Sequence, residues 1–533
     1  MHATGWSRGL EVTGGGTGVV SHAGLVLLRQ LADRTGLTAG LSSALPSPLG
    51  GHDRGRVFSD LACAIADGAR VISDFRVMGD QRELLGPVAS VPTAWRALRE
   101  IAAGGDRRRR KITAAVNKAR RHAWAHGIAR HGGLPPVRVA DRRLEGVTCI
   151  RLDATVVTAH SDKELAEPNF KGFGHHPIIA ACDNVAEPLA WMLRPGSAGS
   201  NTAADHLRLL DEAVTALPPA LRRTLMITCD GAGASHALVK ELDRLASRHG
   251  YQVTYSVGWE LAARERASIG QVPGHAWEAA IDGRGEVRER RSDGACADRR
   301  CAHRKCWIEE AHVTELTGLL REGPDGDQLK GWPKAMRVFA RRERPHPGAQ
   351  LSLFEAADGW RYTLWVTNLP AATRGWRGQC AYIDAAHRVH ARVEDVIRTG
   401  KDTGLGHFPS LIFSPTILRS SDLWLCVVDS VVHGPSLGFP RGRPGSFCTV
   451  LSGRVVAGER IAAALCSPSA RSSASRSWRF SASRMRMRTV AASRRRSSEA
   501  GVARCRSGTG GDDGACCCRV RSRPICSRRS SWA

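Results

Sequence analysis

Between Pro136 and Trp259 strand-length apolar runs alternate with amphipathic ones, and this alternation constrains the fold more than any other feature. "VTCIRLDATVVTA", "HHPIIAACD" and "EPLAWMLRPG" read as three strands, the last two separated by the turn-forming pair Asp183-Asn184. "NTAADHLRLLDEAVTALP" reads as a helix capped by Asn201 or Thr202 and stopped before Pro218. "RTLMITCD" is a strand ending at Asp230. "GASHALVKELDRLASRHG" is a helix with Gly250 past its end, and "YQVTYSVGW" is a further strand. The order β-β-β-α-β-α-β predicts an α/β fold: a mixed sheet over 136–259 with helices on both faces.

Two carboxylates interrupt that pattern. Asp153 lies inside "CIRLDATVV", although aspartate is depleted in strands and a buried, unpaired carboxylate is too costly to keep. Arg151, two residues earlier, is expected to extend its charged end out to water. Asp230 ends the fourth strand, and in this topology the first and fourth strands are neighbours. Carboxylates held side by side repel, so one titrates abnormally. A divalent cation removes the conflict, and hard oxygen ligands suit Mg²⁺, with Mn²⁺ as a substitute. Two such ions about 4 Å apart activate a water or a 3′-hydroxyl for phosphoryl transfer. A third carboxylate is needed, and Glu394, beside Val393 on an amphipathic helix, is the best candidate. Lys401 follows two turns later on nearly the same face, where it reaches a DNA phosphate. Asp162, Glu164 and Asp183 read as surface residues.

The flanking segments are less regular. Residues 1–20 are Gly-rich and expected to be disordered. Residues 21–135 read as helical and basic, with "SHAGLVLLRQLADRTGLTAGLSSAL", "VFSDLACAIADGARVISDFRVM", "SVPTAWRALREIAAG" and a helix opened by Arg107–Lys111. A solvated bundle and a DNA-contacting domain both fit this region. Residues 260–375 are rich in charge, Gly and Trp, and read as a β-rich insertion. Over 376–410 the helical period returns, with Tyr382, Ala386, Val389, Val393 and Ile397 on one face. Cys296, Cys301 and Cys306, with His303 between, have a spacing that zinc permits, but free thiols in a basic loop are the plainer reading. Trp277, Trp307, Trp332, Trp360 and Trp365 read as core, with stacking on a flipped base as the alternative. The glycines of 400–406 form no phosphate loop, because no strand precedes them.

The net charge of +26 points to a polyanion, either nucleic acid or an anionic membrane. There is no apolar run of about 18 residues and no apolar leader, so a cytoplasmic protein with mostly reduced cysteines is expected.

Four segments together give a family resemblance: "LDATVV", "LRPGSAGSNTAADH", "TCDGAGASH" and "AHRVHARVEDVIRTGKDTGLGHFPS". From about residue 20 to Ser410 the chain resembles DD(E/D) transposases of the IS4-related superfamily, closest to the IS1380 family of insertion sequences. The resemblance implies an RNase H-like fold with a β-rich insertion between the second Asp and the Glu. It implies Asp153, Asp230 and Glu394 as catalytic metal ligands, and Mg²⁺-dependent cutting and joining at inverted-repeat ends of double-stranded DNA. A homodimer on DNA and a bacterial, nucleoid-associated location go with it, and related enzymes pass through a DNA hairpin. The superfamily's Tyr-Arg-Glu-Lys pattern is only half kept: His387 and His390 stand where Tyr and Arg belong, while Glu394 and Lys401 match. Arg388, Arg392 and Arg398 are nearby cations that contact DNA beside Lys401 in this reading. The alternatives are an inactive DNA-binding remnant and an RNase H-like host nuclease.

Residues 411–533 break the composition. Their 21 Arg and six acidic residues leave +15 of the net charge, with no Lys and eight of the 16 Cys. Arg, Ser, Cys, Gly and Pro without Lys is what a GC-rich gene yields in a wrong frame, so a frameshift near 410 and a disordered basic tail are expected. Loss of the normal C-terminal helices is expected to bare part of the Glu394 helix, Val393 and Ile397 included.

Overall fold

The first apolar run folds as two helices, α1 (Leu25–Arg34) and α2 (Leu37–Ala44). Gly36 divides them at φ +79°, a left-handed conformation that L side chains rarely adopt. The computed structural model describes residues 22–406, apart from 23, 161, 200–201, 232–233, 288, 292–307, 325, 347 and 371–378. The tail beyond 410, the Gly-rich N-terminus and the Cys296/Cys301/Cys306 group lie outside the described residues. α3 (Arg54–Ala66) is capped by Asp53, whose carboxylate accepts from the Arg56 amide at 2.6 Å. It packs so closely on α2 that a methyl on Gly55 would strike the Ser42 nitrogen and the Leu41 carbonyl carbon. The short α4 (Arg76–Asp80) and α5 (Arg82–Leu85) lead to α6 (Val91–Ala102), with Pro92 in its first turn, and to the 27-residue α7 (Gly105–His131).

The strands that follow are β1 (Val137–Val139), β2 (Arg142–Leu144), β3 (Thr148–Ala154), β4 (Val157–Thr158), β5 (Glu167–Asn169), β6 (Gly172–His175), β7 (Ile178–Cys182) and β8 (Glu187–Met192). After α8 (Ala203–Ala216) come β9 (Thr224–Cys229), α9 (His236–Ala246), β10 (Gln252–Trp259) and α10 (Ala263–Gln271). The next stretch holds β11 (Glu278–Ala279), β12 (Glu289–Arg291), β13 (Ile308–Glu315), α11 (Thr317–Glu322), β14 (Arg337–Glu343), α12 (Leu353–Asp358) and β15 (Arg361–Thr367). α13 (Gln379–Arg388) and α14 (Val393–Gly400) flank a 3₁₀ turn over Val389–Arg392.

The main sheet has the order β11-β13-β14-β15-β10-β9-β3-β7-β8. β3, β9 and β10 are parallel, whereas β7 and β8 return antiparallel as the meander that the sequence predicts. This is a mixed α/β sheet of RNase H-like order, third-second-first-fourth-fifth across β8, β7, β3, β9 and β10. The strands after β10 extend the same sheet, because β15 pairs antiparallel with β10 from Ser256↔Thr367 to Trp259↔Leu364. β4, β6 and β5 form a separate three-stranded sheet, so the expected strand "VTCIRLDATVVTA" divides into β3 and β4.

Both faces of the sheet are covered, as its long apolar strands require. Ile150, Leu152 and Ala180 pack with Leu209 and Leu210 of α8 and with Leu238, Val239 and Leu242 of α9. On the other face, Ile179, Ala181 and Trp191 share a core with the N-terminal helices and α14. The end strand β8 is held by α7. Arg120 Nε donates to Glu187 at 2.6 Å, its Nη2 donates to the Pro188 carbonyl at 3.1 Å, and Trp124 Nε1 donates to Glu187 at 2.8 Å. An otherwise open sheet edge is thereby partly closed.

Two expectations are corrected here. Val393 is 1% exposed and Ile397 6%, because both pack into one core with Leu25, Phe58 and their neighbours from the N-terminal helices. The single apolar stripe expected from Tyr382 to Ile397 is divided by the 3₁₀ turn. Ala386 and its neighbours Tyr382 and Val389 pack with Val137, Val139 and Met226, while Val393 and Ile397 join the N-terminal core.

Candidate active site

Strand register assembles the first part of the site. β3 and β9 run parallel and paired up to Leu152↔Cys229. The next residue on each is Asp153 and Asp230, so the two carboxylates leave the same end of adjoining strands, whose spacing is about 4.8 Å. Alternation puts Cys149, Arg151 and Asp153 on one face of β3, and that face carries α13 and α14. α14 packs on β3 and β7 through the buried Val393, Val396 and Ile397, and Glu394 lies exposed beside them.

The electrostatics tie these groups together. Burial pushes the Asp153 carboxyl up to about 7, and Asp230 reinforces the shift. The Ala154 amide, which donates to Asp153 at 2.8 Å, opposes it. Glu394 then raises the value and Lys401 lowers it. Lys401 is half-buried and donates from Nζ to the Val156 carbonyl at 3.2 Å. Its own pKa is lowered by burial and by Lys171, against the pull of Asp153. Among the described residues no three acidic, His or Cys side chains are gathered closely enough to enclose a metal ion. The donor set nevertheless suits a hard cation: two adjacent oxygen ligands that repel, with a third carboxylate on a neighbouring helix.

The side chains of Arg151 and Asp183 are both buried, contrary to what their sequence context predicts. Arg151 does not reach water. It is 1% exposed and donates to Asp183 at 2.6 Å and to the Thr228 hydroxyl at 3.0 Å. Asp183 is not a surface acid: its side chain is 7% exposed and also accepts from Arg392 at 3.2 Å. The sheet is covered on this face, so an inward Arg needs a partner, and the β7–β8 turn supplies it. The pair ties β3, that turn and the approach to α14 into one unit.

The four cations of the sequence reading occupy different surroundings. Arg392 also donates to the Arg138 carbonyl at 2.8 Å. Arg388 donates to Asp384 at 2.8 Å and to the Ile281 carbonyl. Arg398 is exposed and pairs with Asp395 at 2.6 Å. His387 and His390, the departures from the family pattern, are held neutral by burial, each pushed down to about 3. His387 shares a hydrogen bond with Ser256 at 2.9 Å and stacks on Trp365, while His390 shares one with Thr228 at 2.9 Å. Trp365 is fully buried between His387 and Phe339, and Trp277 is buried too. Trp307 lies outside the described residues.

Two neighbours of Asp230 escaped the sequence reading. His206, buried on α8, has its pKa lowered mainly by burial, with Asp230 pulling the other way. Gly258 on β10 lies behind the Asp230 loop, where a methyl would strike the Gly231 nitrogen and come within 2.7 Å of the Asp230 carbonyl carbon. A Gly inside an apolar strand is the signal for such close backbone approach.

A family model described as transposase DDE domain group 1 matches residues 3–410. No curated protein matches the chain. Among solved structures, the chain is similar to piggyBac transposase in a synaptic complex with hairpin DNA, at 11% identity and a TM-score of 0.37, over 80% of this chain and 79% of that one. No helix among the described residues is long and apolar enough to cross a membrane.

Proposed function

The chain belongs to the transposase DDE domain group 1 family, and from that premise we propose that it is an IS1380-type insertion-sequence transposase acting at inverted-repeat DNA ends. The family makes it a DNA transposition enzyme of a class that generally uses divalent metal ions. The observation that carries the finer reading is the adjacency of Asp153 and Asp230 at the ends of paired strands, with Glu394 and Lys401 brought to them by α14. In this reading Asp153, Asp230 and Glu394 hold Mg²⁺, which supplies an activated water or 3′-hydroxyl and stabilises the leaving oxygen. Lys401 and Arg398 face DNA phosphates, while Arg388 and Arg392 hold the Glu394 segment in place through Asp384 and Asp183.

Charge on α7 supports duplex binding. Arg107, Arg110, Lys111 and Lys118 are exposed on one side of the helix, whereas Arg109 pairs with Asp106 and Arg108 donates to the Glu100 carbonyl. Such a row of cations suits a phosphate backbone. The family match ends at residue 410, where the composition breaks, and this favours the frameshift reading of 411–533.

The test is cleavage of the element's own end sequence with Mg²⁺. Asp153→Asn, Asp230→Asn and Glu394→Gln should each lose at least about 100-fold in rate, the scale on which misplaced reacting groups act. End binding should stay within a fewfold. Retained cleavage in any one variant removes that residue from the triad. Binding without cleavage by the unmodified chain supports the inactive-remnant alternative.

A further inference from the structure

Resting on the reading of the chain as a DNA-cutting enzyme, we propose that the β5–β6 hairpin is a strand-end platform, with Phe170 stacking on an unpaired base beside the carboxylates. Phe170 is 77% exposed, whereas the other large aromatics among the described residues are buried or half-buried. It occupies the two-residue tip Phe170-Lys171, between the paired residues Asn169 and Gly172. The tip is braced from within, because the Asn169 side chain accepts from the Lys171 amide at 2.9 Å. The ring therefore stands out from a fixed turn.

The hairpin belongs to the rim of the site. Only two residues separate β4 from β3, and β6 leads through His176 into β7. Gly172 and Gly174 take φ +125° and +156°, and a side chain on Gly174 would collide with the Val157 carbonyl. The Phe170 ring lies 6.0 Å from the His176 ring, near the strand end that pairs with Ala154. Lys171 lies close enough to Lys401 to lower its pKa. Lys171 Nζ also sits 5.5 Å from the centre of the Phe170 ring. Glu167, the acid nearest in sequence, is turned away onto the Ser197 amide and hydroxyl. The rim thus presents one exposed aromatic ring, one cation over it and a second cation leading to Asp153. A base has a π-face and its backbone a negative charge, so an unpaired nucleotide matches both features.

The probe is a generic duplex bearing three unpaired 3′ nucleotides, the first of them 2-aminopurine, compared with a fully paired duplex of the same sequence. Both are titrated with the full chain in EDTA. The unmodified chain should quench the 2-aminopurine. Phe170→Ala should lose the quench and bind the unpaired end roughly 5- to 150-fold more weakly, from the usual strength of base–aromatic stacking. Its affinity for the paired duplex should change less than twofold, and Phe170→Trp should restore the quench. Equal quenching by Phe170→Ala overturns the platform but leaves the DNA-enzyme reading intact. An equal loss on both probes, or a change of oligomeric state in Phe170→Ala, also overturns it. Failure of the unmodified chain to bind either probe overturns both readings.

Discussion

Replacing Asp183 with Asn tests whether the site stands on a buried ion pair. The substitution keeps the shape of the side chain and removes its charge. Arg151, 1% exposed, then keeps the Thr228 hydroxyl at 3.0 Å but loses the carboxylate at 2.6 Å. Arg392 loses its contact at 3.2 Å as well. Removing one partner from a buried pair leaves an uncompensated charge, which costs about 3–5 kcal/mol. Arg392 adds little to that, because it is partly exposed and its charge is screened by water. Urea unfolding of the Asp183→Asn chain, followed by tryptophan fluorescence, should show this loss. Arg151→Met combined with Asp183→Asn should cost less than the sum of the single changes, with a coupling of about 0.5–3 kcal/mol. A loss below about 1 kcal/mol for Asp183→Asn, or simple additivity in the double variant, would refute the argument that this pair anchors the sheet to the Glu394 segment.

Three further outcomes follow from the geometry and the charge. Gly258→Ala forces the Asp230 backbone to move, so Mg²⁺-dependent cleavage should fall at least about 100-fold while DNA binding holds, as read by parallel cleavage and gel-shift assays. His387 and His390 are pushed down to about 3 when folded, against about 6.5 when unfolded. Their stabilising effect is complete above about pH 6.5 and is lost as the pH falls towards 3, by up to about 1.4 kcal/mol per pH unit for each. His390→Gln should therefore flatten the acid side of a stability–pH profile, and an unchanged slope would count against a neutral buried imidazole. Deleting 411–533 removes +15 of charge, so the salt dependence of DNA binding should become shallower; an unchanged slope means the tail does not touch DNA.

The order of elements in the main sheet was legible in the sequence, because apolar runs of strand length and amphipathic helices differ in period. The sequence also singled out Asp153, since a carboxylate in an apolar strand demands a partner, and Asp230 followed from the strand order. The break at Gly36, the closing of the β8 edge by Arg120 and the split of the C-terminal stripe depend on local backbone geometry or distant contacts, and period alone could not show them. Arg151 illustrates the limit. From sequence it was a long side chain free to reach water, but α13 and α14 cover that face, so only the β7–β8 turn, 32 residues away, could neutralise it. Glu394 and Lys401 were legible as a spacing on a helix. Their approach to Asp153, more than 240 residues earlier for Lys401, was decided by the packing of Val393, Val396 and Ile397 against the N-terminal helices and the sheet. Burial is a property of the whole fold, and burial gave Asp153 its pKa, Asp183 its partners and Phe170, by contrast, its exposure.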